Sequence, residues 1–276
     1  GEALVNPGAS VRAGGPRRIN RHIMRVVNAV LPASVFVALI AFWALAVWFY
    51  EIPHYLLPPP ETVLPRIYDA RASLWNHSLV TLQEILLGFG LAILTAIPLG
   101  LLIALSPLAK RMLYPLLVFV QLVPKIAIAP LFVVWIGFGM ASKVMLTLLL
   151  TFFPLLLASI AGFQILDQRL LYLTRSMGAS TWQTFRYLRF PAALPVIFGG
   201  LKTSATIAAT AAIVAEFVGA NRGLGYLLLQ ATGTMDTTLV FGILFLLTII
   251  GLGLNVAVEL AEHFMAPWRR AGETNR

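Results

Sequence analysis

Long apolar runs alternate with short polar segments along most of the sequence. Each run has the 20 or more residues that a helix needs to cross about 30 Å of hydrocarbon. The pattern predicts an all-α integral membrane protein with six transmembrane helices. The predicted spans are residues 26–50, 78–105, 112–136, 144–166, 192–215 and 239–258.

The segments between and beyond these runs complete the predicted organisation. Residues 1–25 and 267–276 form polar tails around a membrane domain of residues 26–266. The proline-rich segment 51–77 and the glycine-containing loop 216–237 are predicted to lie outside the membrane. The third run contains Pro115, Pro124, Pro130 and Lys125, so an irregular, protein-facing backbone is expected there.

Composition agrees with a membrane protein and excludes several other classes. Hydrophobic residues make up 59% of the 276-residue chain, charged residues 11%, and the mean hydropathy is +0.86; soluble domains have about 25% charged residues. The net charge of +9 is scattered rather than clustered, which argues against a nucleic-acid partner. Without cysteine there are no disulfides or thiolate metal ligands, and the four histidines lack ligand spacing, so no metal site is expected.

The distribution of basic residues predicts the orientation in the membrane. With both termini inside, fourteen of the twenty lysines and arginines face the cytoplasm: five in the N-terminal tail, two at Lys110 and Arg111, four in residues 167–191, and three in the C-terminal tail. Basic residues resist translocation, so both termini and the segment around Gly178 are predicted to be cytoplasmic.

Residues 167–191, the Gly178 segment, combine four arginines with helix signals. Gly178 suits the left-handed position that ends a helix. Ser180 can cap the next helix, with Gln183 closing a capping box. Trp182 and Phe185 then share one face of that helix, and the prolines after it break the pattern and begin the next span. The alternative is an ordinary basic loop lying on lipid headgroups.

This segment resembles the cytoplasmic "EAA" loop of ABC importer permeases through three elements. These are Gly178-Ala179-Ser180, Phe185, and the run from Pro191 to Pro195. The resemblance implies a coupling helix that docks on a separate ATPase subunit. The sequence departs from the family where it has Tyr172-Leu173-Thr174 in place of the usual Glu-Ala-Ala.

Ordered matches across residues 55–230 resemble the nitrate, sulfonate and taurine branch of these permeases. The resemblance implies the type I importer fold, two permease copies, two ATPase subunits, and a periplasmic or lipoprotein substrate-binding protein, in a bacterial inner membrane. The matches are Leu57-Pro58-Pro59-Pro60, Thr81-Leu82, Gly88-Phe89, Pro98-Leu99-Gly100, the segment from Pro124 to Lys143, Ala215-Glu216, and Gly223-Leu224-Gly225-Tyr226.

Gln121, Lys125 and Glu216 are the candidate residues of the substrate path. A lysine in mid-span normally faces a cavity or a partner; the alternative is a structural lysine bonded to backbone carbonyls. For Glu216, a local ion pair with Arg222 is the alternative to substrate contact. Lys202 is expected to extend its ammonium group toward the inner headgroups.

Nothing in the sequence predicts nucleotide binding or catalysis by this chain. The run Gly199-Gly200-Leu201-Lys202-Thr203 lacks the spacing of a phosphate loop and lies in an apolar helix. ATP is therefore expected to bind to the partner subunit, and this chain to have no cofactor and no enzyme activity. A self-driven carrier is less favoured, because no internal repeat is visible. The branch favours a small anion such as nitrate, bicarbonate, sulfonate or taurine; the alternative substrate is a pyrimidine-like nutrient.

Overall fold

The structure is a computed structural model that describes residues 21–268. Most of both predicted tails therefore lies outside the described residues, including Arg12, Arg17, Arg18, Arg269, Arg270 and Arg276. The chain divides into two compact units, residues 1–53 and 54–276.

The described part of the first unit is the single helix α1, Arg21–Phe49. Its residues 26–49 are apolar and long enough to span a membrane. Large apolar side chains project outward along its length, among them Phe36, Leu39 and Phe42. Such a surface is compatible with hydrocarbon rather than water.

The second unit contains the remaining helices, and its described residues contain no strand. A 3₁₀ turn occupies Lys125–Ile128, and a π-helical turn occupies Phe185–Arg189. The helices are α2 (Pro60–Asp69), α3 (Arg71–Leu105), α4 (Pro107–Leu122), α5 (Ala129–Ile136), α6 (Met140–Phe163), α7 (Gln168–Ser176), α8 (Thr181–Thr184), α9 (Phe190–Gly219), α10 (Leu224–Gly233) and α11 (Thr237–Met265).

The core of the second unit forms where α6 packs against α3 on one side and α9 on the other. Small residues allow these close approaches. A Cβ atom added to Gly88 of α3 would lie 2.6 Å from Thr147 of α6, and one added to Gly200 of α9 would collide with Ala158. Ser204 of α9 donates a 2.9 Å hydrogen bond to the carbonyl of Thr151, so a polar contact also joins α6 to α9.

The third apolar run is not one straight helix. Helix α4 ends at Leu122, and the chain bends by 80° before the segment Lys125–Ile136. Pro124 lies in the break, where its missing amide hydrogen and its clash with the preceding turn prevent a continuous helix. The prediction of an irregular backbone at this place is confirmed, and the predicted crossing of the membrane by residues 112–136 stays a prediction.

The predicted outer segments 51–77 and 216–237 each contain helical structure, and their location outside the membrane stays a prediction. The first contains α2 and the first turns of α3, and the second contains α10. Both short helices bury a few apolar side chains, such as Val63 of α2 and Leu227 of α10. Tertiary packing of these side chains stabilises helices whose prolines and glycines suggested turns.

Candidate functional site

The Gly178 segment begins with α7, whose N-terminus is capped by Asp167. The carboxylate of Asp167 accepts a 2.9 Å hydrogen bond from the amide of Arg169. After α7, Gly178 adopts a φ of +84°, a left-handed conformation that costs glycine little. The predicted helix end at Gly178 is confirmed.

Ser180 and Gln183 form the predicted capping box at the start of α8. The amide of Gln183 donates to the Ser180 hydroxyl at 3.1 Å, and the amide of Ser180 donates to the Gln183 side chain at 2.8 Å. This reciprocal pair satisfies two amides at the exposed start of the helix. The direction in which α8 leaves Gly178 and Ala179 is thereby fixed.

Helix α8 continues into α9 without a break, contrary to the predicted interruption at Pro191. The π-helical turn Phe185–Arg189 joins the two helices, and Pro191 lies in the first turn of α9. A π turn shifts the backbone hydrogen-bond register, and proline is tolerated at the start of a helix because it has no amide hydrogen to pair. Residues 181–219 therefore form one continuous helical path.

The aromatic side chains of this segment differ in exposure. Trp182 is 64% exposed and stacks on Phe185, with the ring centroids 5.7 Å apart. Phe185 is half-buried against Phe163 and Phe190, at centroid distances of 6.3 and 6.0 Å. Trp182 is thus presented outward by an aromatic stack anchored in the core.

A groove of about 600 Å³ lies beside this stack. Its walls are formed by the end of α3, by α7 and by the segment from Ala179 to Arg189. Arg189 is held in place by a 3.0 Å hydrogen bond from its guanidinium to the carbonyl of Phe163. Trp182 and Phe185 therefore border a preformed concave surface.

A second feature, the buried polar cluster, lies among α3, α6 and α9 and consists of Thr81, Glu84, Lys143 and Glu216. All four side chains are nearly inaccessible to solvent. Lys143 Nζ lies 3.2 Å from Glu84 Oε1, an ion pair without the alignment of a hydrogen bond. The carboxyl group of Glu216 lies next to that of Glu84, so one ammonium group faces two carboxyl groups.

Two residues of the cluster and the neighbouring His77 hold the N-terminus of α10 through three consecutive backbone amides. His77 accepts from the Gly223 amide at 3.0 Å, Thr81 accepts from the Leu224 amide at 2.8 Å, and Glu216 accepts from the Gly225 amide. Thr81 also donates to Glu216 at 2.6 Å. A carboxylate at a helix N-terminus also interacts favourably with the helix dipole.

Two glycines make this close approach possible. Gly223 has a φ of +110°, and a Cβ atom there would collide with the Glu216 carboxylate. A Cβ atom on Gly225 would lie 2.7 Å from Glu216 Oε2. The ion pair with Arg222, one of the two alternatives for Glu216, is wrong, because Thr81 and Gly225 supply the hydrogen bonds of the buried carboxyl group. A role of Glu216 in the substrate path stays a prediction.

Comparison with known proteins identifies the family. The family model described as "Binding-protein-dependent transport system inner membrane component" matches residues 96–271. The chain belongs to this family.

Two curated relatives are similar to this permease over most of their length. The riboflavin transport system permease protein RibX of Chloroflexus aurantiacus is 38% identical over 240 residues, covering 86% of this chain and 89% of RibX. The formylaminopyrimidine transport permease protein ThiX of Halalkalibacterium halodurans is 36% identical over 247 residues, covering 89% and 98%.

A solved structure shows the same fold. An inward-facing structure of the MetNI methionine ABC transporter matches with a TM-score of 0.54 and 18% identity, over 71% of this chain and 97% of the matched chain. The permease therefore has the type I importer fold that the sequence predicted. It is a multi-pass inner-membrane protein with five or six candidate spans in its described residues.

The remaining candidate path residues of the permease lie at the broken third span. Lys125 donates a 2.6 Å hydrogen bond to the backbone carbonyl of Gln121, and its ammonium group lies 4.9 Å from the ring centre of Phe153. The carbonyl of Gln121 lacks a helical partner because α4 ends there. This hydrogen bond agrees with the alternative that Lys125 is a structural lysine bonded to a backbone carbonyl. A role of Lys125 in the substrate path stays a prediction.

Lys202 does not extend freely toward headgroups as the sequence suggested. Its ammonium group forms a close ion pair with the carboxylate of Glu262 on α11. The reason is spatial: α9 and α11 pack against each other, so a carboxylate 60 positions along the chain lies beside the lysine. Sequence spacing gave no sign of this pair, nor of the three helices that meet at the buried polar cluster.

Proposed function

We propose that this permease is the membrane-spanning subunit of an ABC importer, and that the Gly178 segment couples it to a separate ATPase subunit. The observation that carries the proposal is an outward-facing Trp182 on a capped helix continuous with α9. A large exposed aromatic ring next to a concave surface is typical of a protein interface.

The continuity of residues 181–219 supplies a mechanism for coupling. A rigid helix transmits a displacement at one end to the other, since its backbone hydrogen bonds resist bending. Movement of an ATPase bound to α8 would thus reach α9, which packs in the centre of the bundle. If the path alternates between two conformations, ATPase contacts that differ between them shift the equilibrium from one conformation to the other.

The proposed assembly contains two permease copies, two ATPase subunits and an outer substrate-binding protein. The basic-residue distribution supports both termini and Gly178 on the cytoplasmic side. ATP binds to the partner subunits, and the role of this chain is to form the path.

For the substrate, we propose a small organic heterocycle in place of the small anion that the sequence favoured. Relatives 38% and 36% identical are named for riboflavin and for a formylaminopyrimidine. The ammonium group of Lys125, the cation among the candidate path residues, already bonds to a carbonyl and faces an aromatic ring. Uptake of taurine tests the alternative that the substrate is a small anion.

Replacement of the exposed tryptophan tests the coupling proposal. Trp182→Ala is expected to weaken ATPase binding by about 2 kcal/mol, the usual loss for an aromatic residue at the centre of an interface. ATPase co-purification and ATP-dependent uptake in membrane vesicles are measured together, and both are expected to fall while the permease still inserts.

Trp75→Ala is the matched control, because Trp75 is a similarly exposed tryptophan (66%) far from this segment. It is expected to leave ATPase co-purification unchanged. Normal co-purification and uptake in Trp182→Ala would mean that the Gly178 segment is not the ATPase interface.

A further inference from the structure

The buried polar cluster contains more acidic than basic groups. Glu84, Glu216 and Lys143 are 0%, 1% and 4% exposed, so solvent screens none of them. With both carboxyl groups ionised, two negative charges would face one ammonium group in the interior. An uncompensated buried charge is costly, and a buried group avoids that cost by changing its protonation state.

The helices packed around the cluster supply no second cation. Lys143 is the only charged residue of α6, and α5 and α10 have none. Lys202, the basic residue of α9, pairs with Glu262 of α11. The carboxylate of Asp236, at the start of α11, is bound to Arg66 and does not add to the cluster. Neutralisation of the second carboxyl group therefore requires a proton or a bound cation.

Two further titratable or charged residues adjoin the cluster where α10 begins. His77 accepts the hydrogen of the Gly223 amide at Nδ1, an arrangement that requires a neutral imidazole. Arg222 precedes Gly223 and is exposed, so water screens its charge. Neither residue compensates the second carboxyl group.

The hydrogen bonds indicate where a proton would lie. Glu216 accepts from the hydroxyl of Thr81 and from the amide of Gly225. Glu84 lies beside Glu216, but neither of its buried carboxyl oxygens has a hydrogen-bond partner. A proton shared by the two carboxyl groups supplies the missing bond, and hydrogen bonds between an acid and a carboxylate are strong. The pair then has one negative charge, which Lys143 balances.

The attachment of α10 depends on the same carboxyl pair. Glu216 binds the Gly225 amide directly, and it also binds Thr81, which holds the amide of Leu224. Loss of a shared proton would leave two like charges side by side, and their repulsion would separate Glu216 from Glu84. Movement of Glu216 would disturb both contacts with the start of α10.

We propose that the buried polar cluster is a proton-binding site. Glu84 and Glu216 share one proton at neutral pH, and this proton keeps the N-terminus of α10 attached to α3 and α9. The site is independent of the proposed importer function, since its tests need neither an ATPase nor a transported substrate.

Infrared spectroscopy of the full-length permease detects the proton directly. A protonated carboxyl group has a C=O stretching band that an ionised carboxylate lacks, and the band shifts in ²H₂O. Dodecyl maltoside is a suitable detergent because it contains no carbonyl group. The wild type is expected to show this band at neutral pH, and Glu84→Gln is expected to lose it. Glu61→Gln, at an exposed glutamate of α2, is the matched control and should keep the band.

The wild-type spectrum alone can overturn the proposal, whatever the stability of the variants. Absence of the band at neutral pH would show that the cluster binds no proton. A band that appears only after Na⁺ is withdrawn would show that a metal cation occupies the site instead. A band that persists in Glu84→Gln would place the proton elsewhere in the protein.

Hydrogen exchange tests whether the proton holds α10. The backbone amides of Leu224–Gly233 are followed by mass spectrometry as the pH is raised, with Pro60–Asp69 of α2 as the reference segment. In the wild type, α10 is expected to stay protected wherever the infrared band is present, and to exchange faster than the reference once the band is lost.

In Glu84→Gln, α10 is expected to stay protected at the pH at which the wild type loses protection. The glutamine cannot ionise, and its amide group can still donate to Glu216. Because Lys143 is present in both proteins, an effect of lysine titration would appear in both. Equal pH dependence of α10 in the two proteins, or unchanged protection of wild-type α10 after loss of the band, would overturn the role of the proton.

Discussion

Lys143 and Glu84 lie 3.2 Å apart with side chains 5% and 0% exposed. Removing both charges from water costs several kcal/mol per ion, which their mutual attraction offsets only while both are present. Glu216 makes the charge of Lys143 more important, because the carboxyl group of Glu216 lies beside that of Glu84 and holds the start of α10. At the scale of single residues, Lys143 is therefore the compensating charge of the buried polar cluster.

Removing that charge is expected to destabilise the permease. Lys143→Met leaves Glu84 buried without its partner, at a cost of about 3–5 kcal/mol. The thermal unfolding midpoint of the detergent-solubilised protein should fall clearly, and less protein should be recovered from membranes.

The double variant Lys143→Met with Glu84→Gln is the matched control. Removing both charges avoids an uncompensated ion, so its midpoint is expected to lie closer to that of the wild type. A double variant as unstable as Lys143→Met would show that the ion pair is not the reason for the loss.

At the scale of elements, short helices are attached to long ones through their ends. Helix α2 is joined to the N-terminus of α11 by Arg66, whose guanidinium donates to Asp236 at 2.7 Å. Asp236 also caps α11 by accepting from the Leu239 amide at 3.1 Å. One carboxylate thus serves both the cap and the contact between the two helices.

The same contacts set the protonation behaviour of Asp236. Partial burial acts to raise the pKa of Asp236, but the hydrogen bonds from Arg66 and Leu239, together with the charge of Arg66, outweigh it. The pKa is therefore lowered from its ordinary value of 3.8. A lowered pKa means that the folded state is stabilised above pH 3.8 and loses this stabilisation as the pH falls through the folded value.

Asp236→Asn is accordingly expected to lower the free energy of unfolding at neutral pH by up to about 1 kcal/mol, because the pair is partly exposed. The deficit should stay constant down to about pH 5, and shrink below pH 3.8 as the wild-type carboxyl becomes protonated. Asp69→Asn, at an exposed aspartate of α2, is the control and should show no deficit. A deficit that persists unchanged at pH 3 would contradict the role of the charge.

At the scale of the whole molecule, the Gly178 segment precedes the long helix α9, and the loop around Thr234 comes after it. The ends of its 30 residues are separated by about 45 Å, at 1.5 Å per residue, which exceeds the thickness of the hydrocarbon layer. Helix α10 follows closely after α9 and stays near its end, since its first amides bind to His77, Thr81 and Glu216. Ser180 and Thr234 are therefore expected on opposite sides of the membrane.

Single cysteines at these two positions test the topology. In sealed, right-side-out vesicles an impermeant thiol reagent should label Thr234→Cys and should label Ser180→Cys only after permeabilisation. Labelling of both from outside would refute the proposed orientation. Both residues are exposed in the chain without its partners, so the vesicles contain the permease alone.

Local physical chemistry made several features predictable from the sequence. Apolar length predicted the long helices, because hydrocarbon selects them whatever their neighbours are. The end of a helix at Gly178 and the capping box of Ser180 and Gln183 were predictable because a cap involves residues only three apart.

The tertiary structure decided the features that depend on distant residues. Lys143 meets Glu84, Lys202 meets Glu262, and Glu216 meets the amide of Gly225 only after α3, α6, α9, α10 and α11 have packed. Burial and partners depend on which face of a helix meets its neighbour, and the uniform hydrophobicity of these spans conceals that face.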